Sequence, residues 1–517
     1  MALPNITFVQ SPNGLGRPLT GTDYISGYIH YYASGATLPT GFTSSDRIKK
    51  IFSVADAEAL GITDTHLAET KAVAKFAVTT AGAAGDTISI TYTGIEGAET
   101  VLATYTMVTA DVVSTTTAAA ALAAAINLGT ATHGFSATNS TSNLLITTKG
   151  GEGIFPNSGT PYSSSITGTL AGTWTQPTGS GSTVLGVASW IDTLHYHISE
   201  YFRLQPKGEL YVGLYEEEST TYVFADITTM QNFAQGAIKQ IGVYEKNVAF
   251  TSAQATALQA IATANTTVYK PLQIILNAEI SGTASVATLS DLSALSAPNV
   301  SVTIAQDGAE LGYHIYKATG KSVGTVGACL GAVSFASVSE SIAWIQKFNM
   351  ASGGSELDTI AFSNGQLYTA LADSQFESLN NYAYIFLRKL VGITGSYWSD
   401  SKTTVISTSD YSTIENNRVY QKVTRVVRAA VLPALSGPLK VNADGTLSLD
   451  TIGYFTSLAN QPLVQMEADN ELSAHKIIIN PTQNVLSTST LEMTIQLVPL
   501  GVARQIEINV GFVLSVA

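Results

Sequence analysis

A single cysteine, Cys329, in a chain of 517 residues rules out a disulfide framework. Its surroundings, Gly327-Ala-Cys-Leu-Gly-Ala, are small and apolar, so it reads as a core residue and not as a reactive thiol. Charge is scarce: 12% of the residues carry it, and the balance is −13. No basic arm interleaved with aromatics occurs, which argues against a nucleic-acid partner. No apolar run reaches the roughly 18 residues that a membrane-spanning helix needs, so no membrane insertion is expected. The first residues, Met-Ala-Leu-Pro-Asn, lack a basic stretch followed by an apolar one. The expectation is therefore a protein without a secretion leader, folded in a cytoplasm.

Signatures of chemistry are missing as well. There is no Gly-x-Ser-x-Gly elbow, and neither Gly14-Leu-Gly16 nor the glycines of 324–331 carry the Lys-Ser/Thr of a phosphate loop. His195, His197 and Glu200 lie close in sequence. On a helix, however, i and i+2 point apart, and His197 with Glu200 gives only two ligands. Glu216, Glu217 and Glu218 are consecutive and alternate faces on a strand, which suggests a solvated strand end. The reading is a non-enzyme with no catalytic, cofactor or metal site.

What is present is a surface rich in Ser, Thr, Asn, Gln and Gly. Such surfaces suit assembly, because few charges are desolvated when subunits meet. The chain divides by composition and by hydrophobic period. Residues 1–30 form an extended, Pro- and Gly-containing arm. Residues 31–77 and 183–337 form one discontinuous α/β domain of short apolar strands separated by helices. Between them, 78–182 is nearly free of Lys and Arg and reads as an inserted β-rich domain with a flexible exit at 179–182. Helices are expected at 67–76 and 339–347. Residues 338–488 form a C-terminal α+β domain, and 489–517 a β-extension.

The last hundred residues are the most informative. They read as helix, turn, helix, strand, strand. In the first helix Arg418, Lys422 and Arg425 recur on one stripe, while Val419, Val423, Val426 and Val427 fall on the other side. The expectation is that the apolar face packs inward and the basic face is presented outward, a local inversion in an acidic protein. Residues 489–499 alternate with period two through Leu491, Met493, Ile495 and Leu497. Residues 505–514 repeat the pattern through Ile506, Ile508, Val510, Phe512 and Leu514. A strand this close to a chain end needs a sheet to hold it, its own or a neighbour's.

This order of elements resembles the contractile tail sheath proteins of contractile-tailed bacteriophages and related injection machines. Four pieces carry the resemblance: Val54-Ala-Asp-Ala-Glu-Ala-Leu-Gly-Ile62; Tyr196-His-Ile-Ser-Glu-Tyr-Phe202 followed by Gly208-Glu-Leu-Tyr-Val212; residues 418–435; and residues 501–512. The resemblance implies a multidomain α+β and α/β fold, with a sheath-type α/β core, a C-terminal α+β domain and the insertion on the outside. It implies a structural subunit that polymerises into a helical tube and contracts to drive an inner tube through a target cell envelope. Homo-oligomer contacts would use strand addition by Ile506, Ile508, Val510 and Phe512, with Ile6 and Phe8 at the other end. Arg418, Lys422, Arg425 and Arg428 would dock on the inner tail tube protein. Baseplate and tail terminator proteins are further implied partners, and the implied location is the virion tail, assembled in the host bacterial cytoplasm. The unsplit chain favours a phage tail over a secretion system. Two alternatives remain open: an adhesin-like surface or tail protein, suggested by the Thr/Ser-rich insertion, and an α/β-hydrolase-like enzyme.

Overall fold

The computed structural model describes residues 21–218, 222–351, 356–508 and 510–512. The chain opens with β1 (Ile25–Tyr32), β2 (Ile48–Ile51) and α1 (Val54–Ala59). All eight residues of β1 are buried, as expected of a strand covered on both faces. The chain then leaves for the insertion: β3 (Val73–Thr80), β4 (Thr87–Thr93), β5 (Glu99–Thr106), α2 (Thr115–Leu128), α3 (Thr130–His133), β6 (Ser136–Ser140), β7 (Asn143–Thr147), β8 (Tyr162–Thr167) and β9 (Ala171–Thr175). These strands form a four-stranded sheet, β6-β7-β3-β9, and a three-stranded one, β5-β4-β8. Leu122 and Ile126 of α2 pack into their shared core with Phe76, Ile90 and Tyr162.

The helix expected at 67–76 is not formed. Its second half belongs to β3, where Ala74, Phe76 and Val78 alternate into the core, so the insertion begins before residue 78. Nor is the exit at 179–182 a free tether. The chain leads straight into a stem, with Thr70 bridged to Val187 and Val73 to Val184. A second seam locks the insertion down. The Glu69 carboxylate accepts from the backbone N–H groups of Gly151 and Gly153 at 3.0–3.1 Å, and the Ile154 N–H donates to the Ala318 carbonyl at 2.8 Å. A Cβ on Gly153 would lie 2.2 Å from that carbonyl oxygen, so only glycine permits the approach.

The body resumes with α4 (Trp190–Leu204), β10 (Glu209–Glu216), α5 (Ala225–Phe233), β11 (Gln240–Tyr244), α6 (Ser252–Thr267), β12 (Gln273–Asn277), β13 (Val300–Thr303), β14 (Ala305–Asp307), α7 (Leu311–Thr319), α8 (Val326–Phe335), β15 (Ile360–Phe362), α9 (Asp373–Asn381) and β16 (Tyr384–Ile385). The sheet order is β16-β13-β12-β11-β1-β10-β2, parallel except for β2. Helices cover both faces. On one side α4 and α8 cross so closely that a Cβ on Gly327 would meet the His197 carbonyl oxygen at 2.2 Å, and Cys329 is buried beside them. The glycines of 324–331 thus serve packing. Because β16 completes the sheet, the boundary expected at 337/338 falls inside the body. Residues 339–347 form turns where a helix was expected; the segment crosses from α8 to the core position of Phe348.

The C-terminal part follows: β17 (Leu387–Leu390), β18 (Ile393–Trp398), α10 (Ile414–Val431), α11 (Leu449–Ala468), β19 (Ala474–Ile478), α12 (Val485–Thr488) and β20 (Thr494–Val498). Helices α10 and α11 pack through Val419, Val423, Leu463 and Met466. Strands β19 and β20 pair antiparallel and lay Ile477, Ile495 and Leu497 over the helices.

Candidate assembly surface

The valine face of α10 is buried as expected. The basic face is not presented outward. Arg418 is 3% exposed, and its guanidinium donates to the carbonyls of Ala336 (3.1 Å), Ser337 (3.2 Å) and Asp23 (3.3 Å). Lys422 Nζ lies 2.7 Å from Asp23 Oδ2 and 2.6 Å from Glu471 Oε1, and Arg425 Nη2 lies 2.8 Å from Asp23 Oδ1. Burial pushes the Arg418 pKa down to about 10, with Asp23 opposing the shift. Burial also pushes Asp23 upward, but Lys422, Arg425 and Arg418 together outweigh it and hold the carboxyl below its usual value. The stripe is therefore an internal tie. The reason is economic in charge terms: three cations on one half-buried face need counter-charges, and the chain supplies Asp23 and Glu471. Of the four residues expected to dock outward, Arg428 is the one on the surface, with its guanidinium 3.9 Å above the Tyr269 ring.

The stripe begins one turn earlier than its basic residues, at a position the local sequence pattern does not mark. Glu415, one turn before Arg418, is buried, and its carboxylate receives the Ser401 hydroxyl at 2.5 Å and an Arg504 guanidinium N–H. Arg504 Nε also donates to Asp400 Oδ1 at 3.0 Å. Beyond Arg504 the described residues are exposed and join no strand: Ile506 and Ile508 are each 76% exposed, Val510 92% and Phe512 fully so. Of the strand expected at 505–514, the described residues pair with no described strand, which leaves their backbone N–H and C=O groups open to a partner. Leu514 lies outside the described residues, as do Ile6 and Phe8.

Strand β20 pairs with β19 on one side, and no other described strand joins this two-stranded sheet. Beside it runs an apolar groove of about 860 Å³, lined by Val427, Val431 and Leu435 at the end of α10 and by Leu491, Met493 and Leu497 near β20. The sequence pattern located β20 but not β19, whose central His475-Lys476 interrupts the apolar alternation.

Elsewhere the expected candidates separate. His195 lies 3.3 Å from Glu58, while His197 is buried on another side of α4, where its Nδ1 accepts the Gly327 N–H. Burial pushes the His197 pKa down to about 3. Glu200 pairs with Arg203. Among the described residues, no group of three or more His, Cys, Asp and Glu side chains could hold a metal ion, and no helix is long and apolar enough to cross a membrane.

Glu217 is not simply solvated. It turns toward the carboxyl edge of the parallel sheet, where burial pushes its pKa up to about 7. At the same edge burial pushes Glu245 up to about 8; this fully buried side chain accepts from the Gln254 amide at 2.7 Å. A folded-state carboxyl pKa above the unfolded value gives stability that is complete below about pH 4 and is lost as pH rises toward the folded value. Glu245→Gln is expected to flatten the fall of unfolding free energy between roughly pH 5 and 7.5 by about 1.4 kcal/mol per pH unit, read from urea melts across that range.

Two family models together span nearly the whole chain. DUF2586, N-terminal domain, matches residues 3–402, and DUF2586, C-terminal domain, matches residues 410–517. The chain belongs to the DUF2586 family. The junction between the two models falls between Lys402 and Asp410, just before α10, which agrees with a body sheet that extends to β16. The solved structures that this DUF2586 chain is similar to include sheath tail proteins and parts of contractile injection systems. The sheath tail protein from Desulfitobacterium hafniense is 11% identical, with a TM-score of 0.35 over 96% of this chain and 100% of that one. The sheath tail protein from Listeria innocua is also 11% identical, with a TM-score of 0.37 over 93% and 96% of the two chains. A chain of the contracted PVC sheath complex, an extracellular contractile injection system, is 14% identical, with a TM-score of 0.41 over 62% and 81%. No curated protein matches the sequence.

Proposed function

We propose that this DUF2586 protein is a sheath-like structural subunit that polymerises with copies of itself by exchanging its C-terminal segment. One observation carries the reading: an alternating apolar segment, Ile506, Ile508, Val510 and Phe512, stands exposed with no strand partner among the described residues, while the same chain displays a two-stranded sheet bordering an apolar groove. Strand addition satisfies both halves. The backbone of one copy's segment completes the ladder on β20 of the next, and its apolar face covers the groove. Eight residues at about 3.3 Å each span about 26 Å, enough to reach an adjoining copy.

In this reading the subunits form a helical sheath around an inner tail tube, and the sheath contracts to drive the inner tube through a target cell envelope. Backbone ladders tolerate rotation of the bodies they join, so a linked lattice changes shape without dissociating. The inward turn of Arg418, Lys422 and Arg425 leaves the inner-tube contact to Arg428 and the exposed side of α10. The body works as a rigid unit, and the seam at Glu69 carries the insertion with it.

The test is negative-stain electron microscopy of the full-length protein at rising concentration. Hollow striated tubes are expected. Monodisperse monomers throughout the series, with no ordered polymer at any concentration, overturn self-assembly.

A further inference from the structure

Glu415, Arg418, Lys422 and Arg425 follow one another at helical spacing and so form a single stripe along α10. Its first residue binds Arg504, and the rest bind Asp23. Arg504 immediately precedes the exposed C-terminal segment, and Asp23 lies near the first described residue of the chain. One helix therefore holds both Asp23, two residues before β1, and Arg504.

The Arg504 socket is built. Glu415 and Asp400 are 2% and 6% exposed. Arg504 reaches both carboxylates and also lies 3.3 Å from the Ser401 hydroxyl, which itself donates to Glu415. Lys402 adds a weaker contact to Asp400 at 3.4 Å. Withdrawing Arg504 would strip Glu415 of its cation and leave Asp400 with Lys402 alone, and stranding buried carboxylates is costly. The segment before it is tied more lightly: the Ser473 N–H and hydroxyl donate to the carbonyls of Val498 and Pro499, both at 2.9 Å.

We infer that Arg504 is the fulcrum of the C-terminal segment, a positioning residue that pins the chain to the first turn of α10 so that the part free to engage a second copy begins at Gln505. This rests on the exchange reading above and adds where the moving part starts. It also makes α10 the tie between the Arg504 anchor and the body sheet, because the same stripe grips Asp23 two residues before β1.

Trypsin reports the socket directly, since cleavage after Arg504 requires its side chain to leave Asp400 and Glu415. In dilute full-length protein, the initial rate of release of peptide 505–517 is measured by mass spectrometry against cleavage after the exposed Lys440. In the Asp400→Asn/Glu415→Gln double variant this ratio is expected to rise at least tenfold. Circular dichroism and the unchanged Lys440 rate show that the variant is folded. In parallel, Arg504→Gln is expected to raise the concentration needed for polymer formation at least tenfold. Equal trypsin ratios in wild type and double variant overturn the fulcrum. So does polymerisation of Arg504→Gln at the wild-type concentration, and that result leaves the exchange reading intact. A wild type that never polymerises yet shows the tenfold protection sinks the exchange reading while the anchor stands.

Discussion

A chain ended after Arg504 is expected to stay folded and to lose self-assembly. The deletion removes residues 505–517, whose described members are exposed and join no strand, so the fold gives up almost nothing. The unfolding temperature should move by less than about 2 °C. Assembly loses a whole ladder. Strand β20 has five residues. Pairing along its length, at about 1 kcal/mol per backbone hydrogen bond and about five bonds, corresponds to roughly 10³- to 10⁴-fold in each contact's equilibrium constant. The lost apolar contact of Ile506, Ile508, Val510 and Phe512 with the groove adds to that. Analytical ultracentrifugation of the truncated and complete chains reads the effect. Polymer of equal size and threshold in the truncated chain would show that the lattice is held by other surfaces. Because the cut spares Arg504, the same experiment separates loss of the exchanged strand from loss of its anchor.

The second large effect is expected at Asp23. Its carboxylate is the shared counter-charge of Lys422 and Arg425, and its backbone carbonyl receives Arg418. Asp23→Asn leaves Arg425, whose pKa burial already lowers, without its ion pair. A loss of about 3 kcal/mol in unfolding free energy is expected, read from urea or thermal melts at pH 7. Removing the stranded cation as well, in Asp23→Asn/Arg425→Met, should recover part of it, since an apolar side chain needs no counter-charge. The pH dependence has a definite sign. A folded carboxyl pKa below the unfolded value gives stability that is present above about pH 4 and disappears only as pH falls through the folded value. Wild type and Asp23→Asn should therefore converge in stability as the solution is made strongly acidic. A constant gap down to pH 2 would show that Asp23 acts through its backbone and packing alone.

The Asp23 effect acts through α10, and that helix shows what a sequence reveals and what it hides. Its existence and its two faces are written in the 3.6-residue recurrence of Val419, Val423, Val426 and Val427 against Arg418, Lys422 and Arg425. The direction of the basic face is not. Charged residues are expected to face water unless paired, and nothing local signals the pairing: Glu471, Arg504 and Asp23 lie 49, 89 and 402 residues from Lys422, Glu415 and Arg425. Such partners become visible only once the chain is folded back on itself. The Glu216–Glu218 run carries the same lesson, since the surroundings of Glu217 are set by Lys246, Asn247 and Lys321, which the fold brings to it from distant parts of the chain.

The sequence by itself determined the alternating order of strands and helices in the body, the separate identity of the Thr/Ser-rich insertion, and the period-two pattern of the C-terminal segment. Each of these is a local matter, set by side-chain spacing along a few residues. Tertiary structure decided the rest. It moved the body's edge out to β16, began the insertion at β3 where a helix had been expected, and welded that insertion to the body through Glu69. It also turned a presumed docking stripe into a buried tie. These outcomes depend on which surfaces and charges meet across long stretches of chain, and burial sets their energy: a charge that is cheap in water must find its partner once it is enclosed.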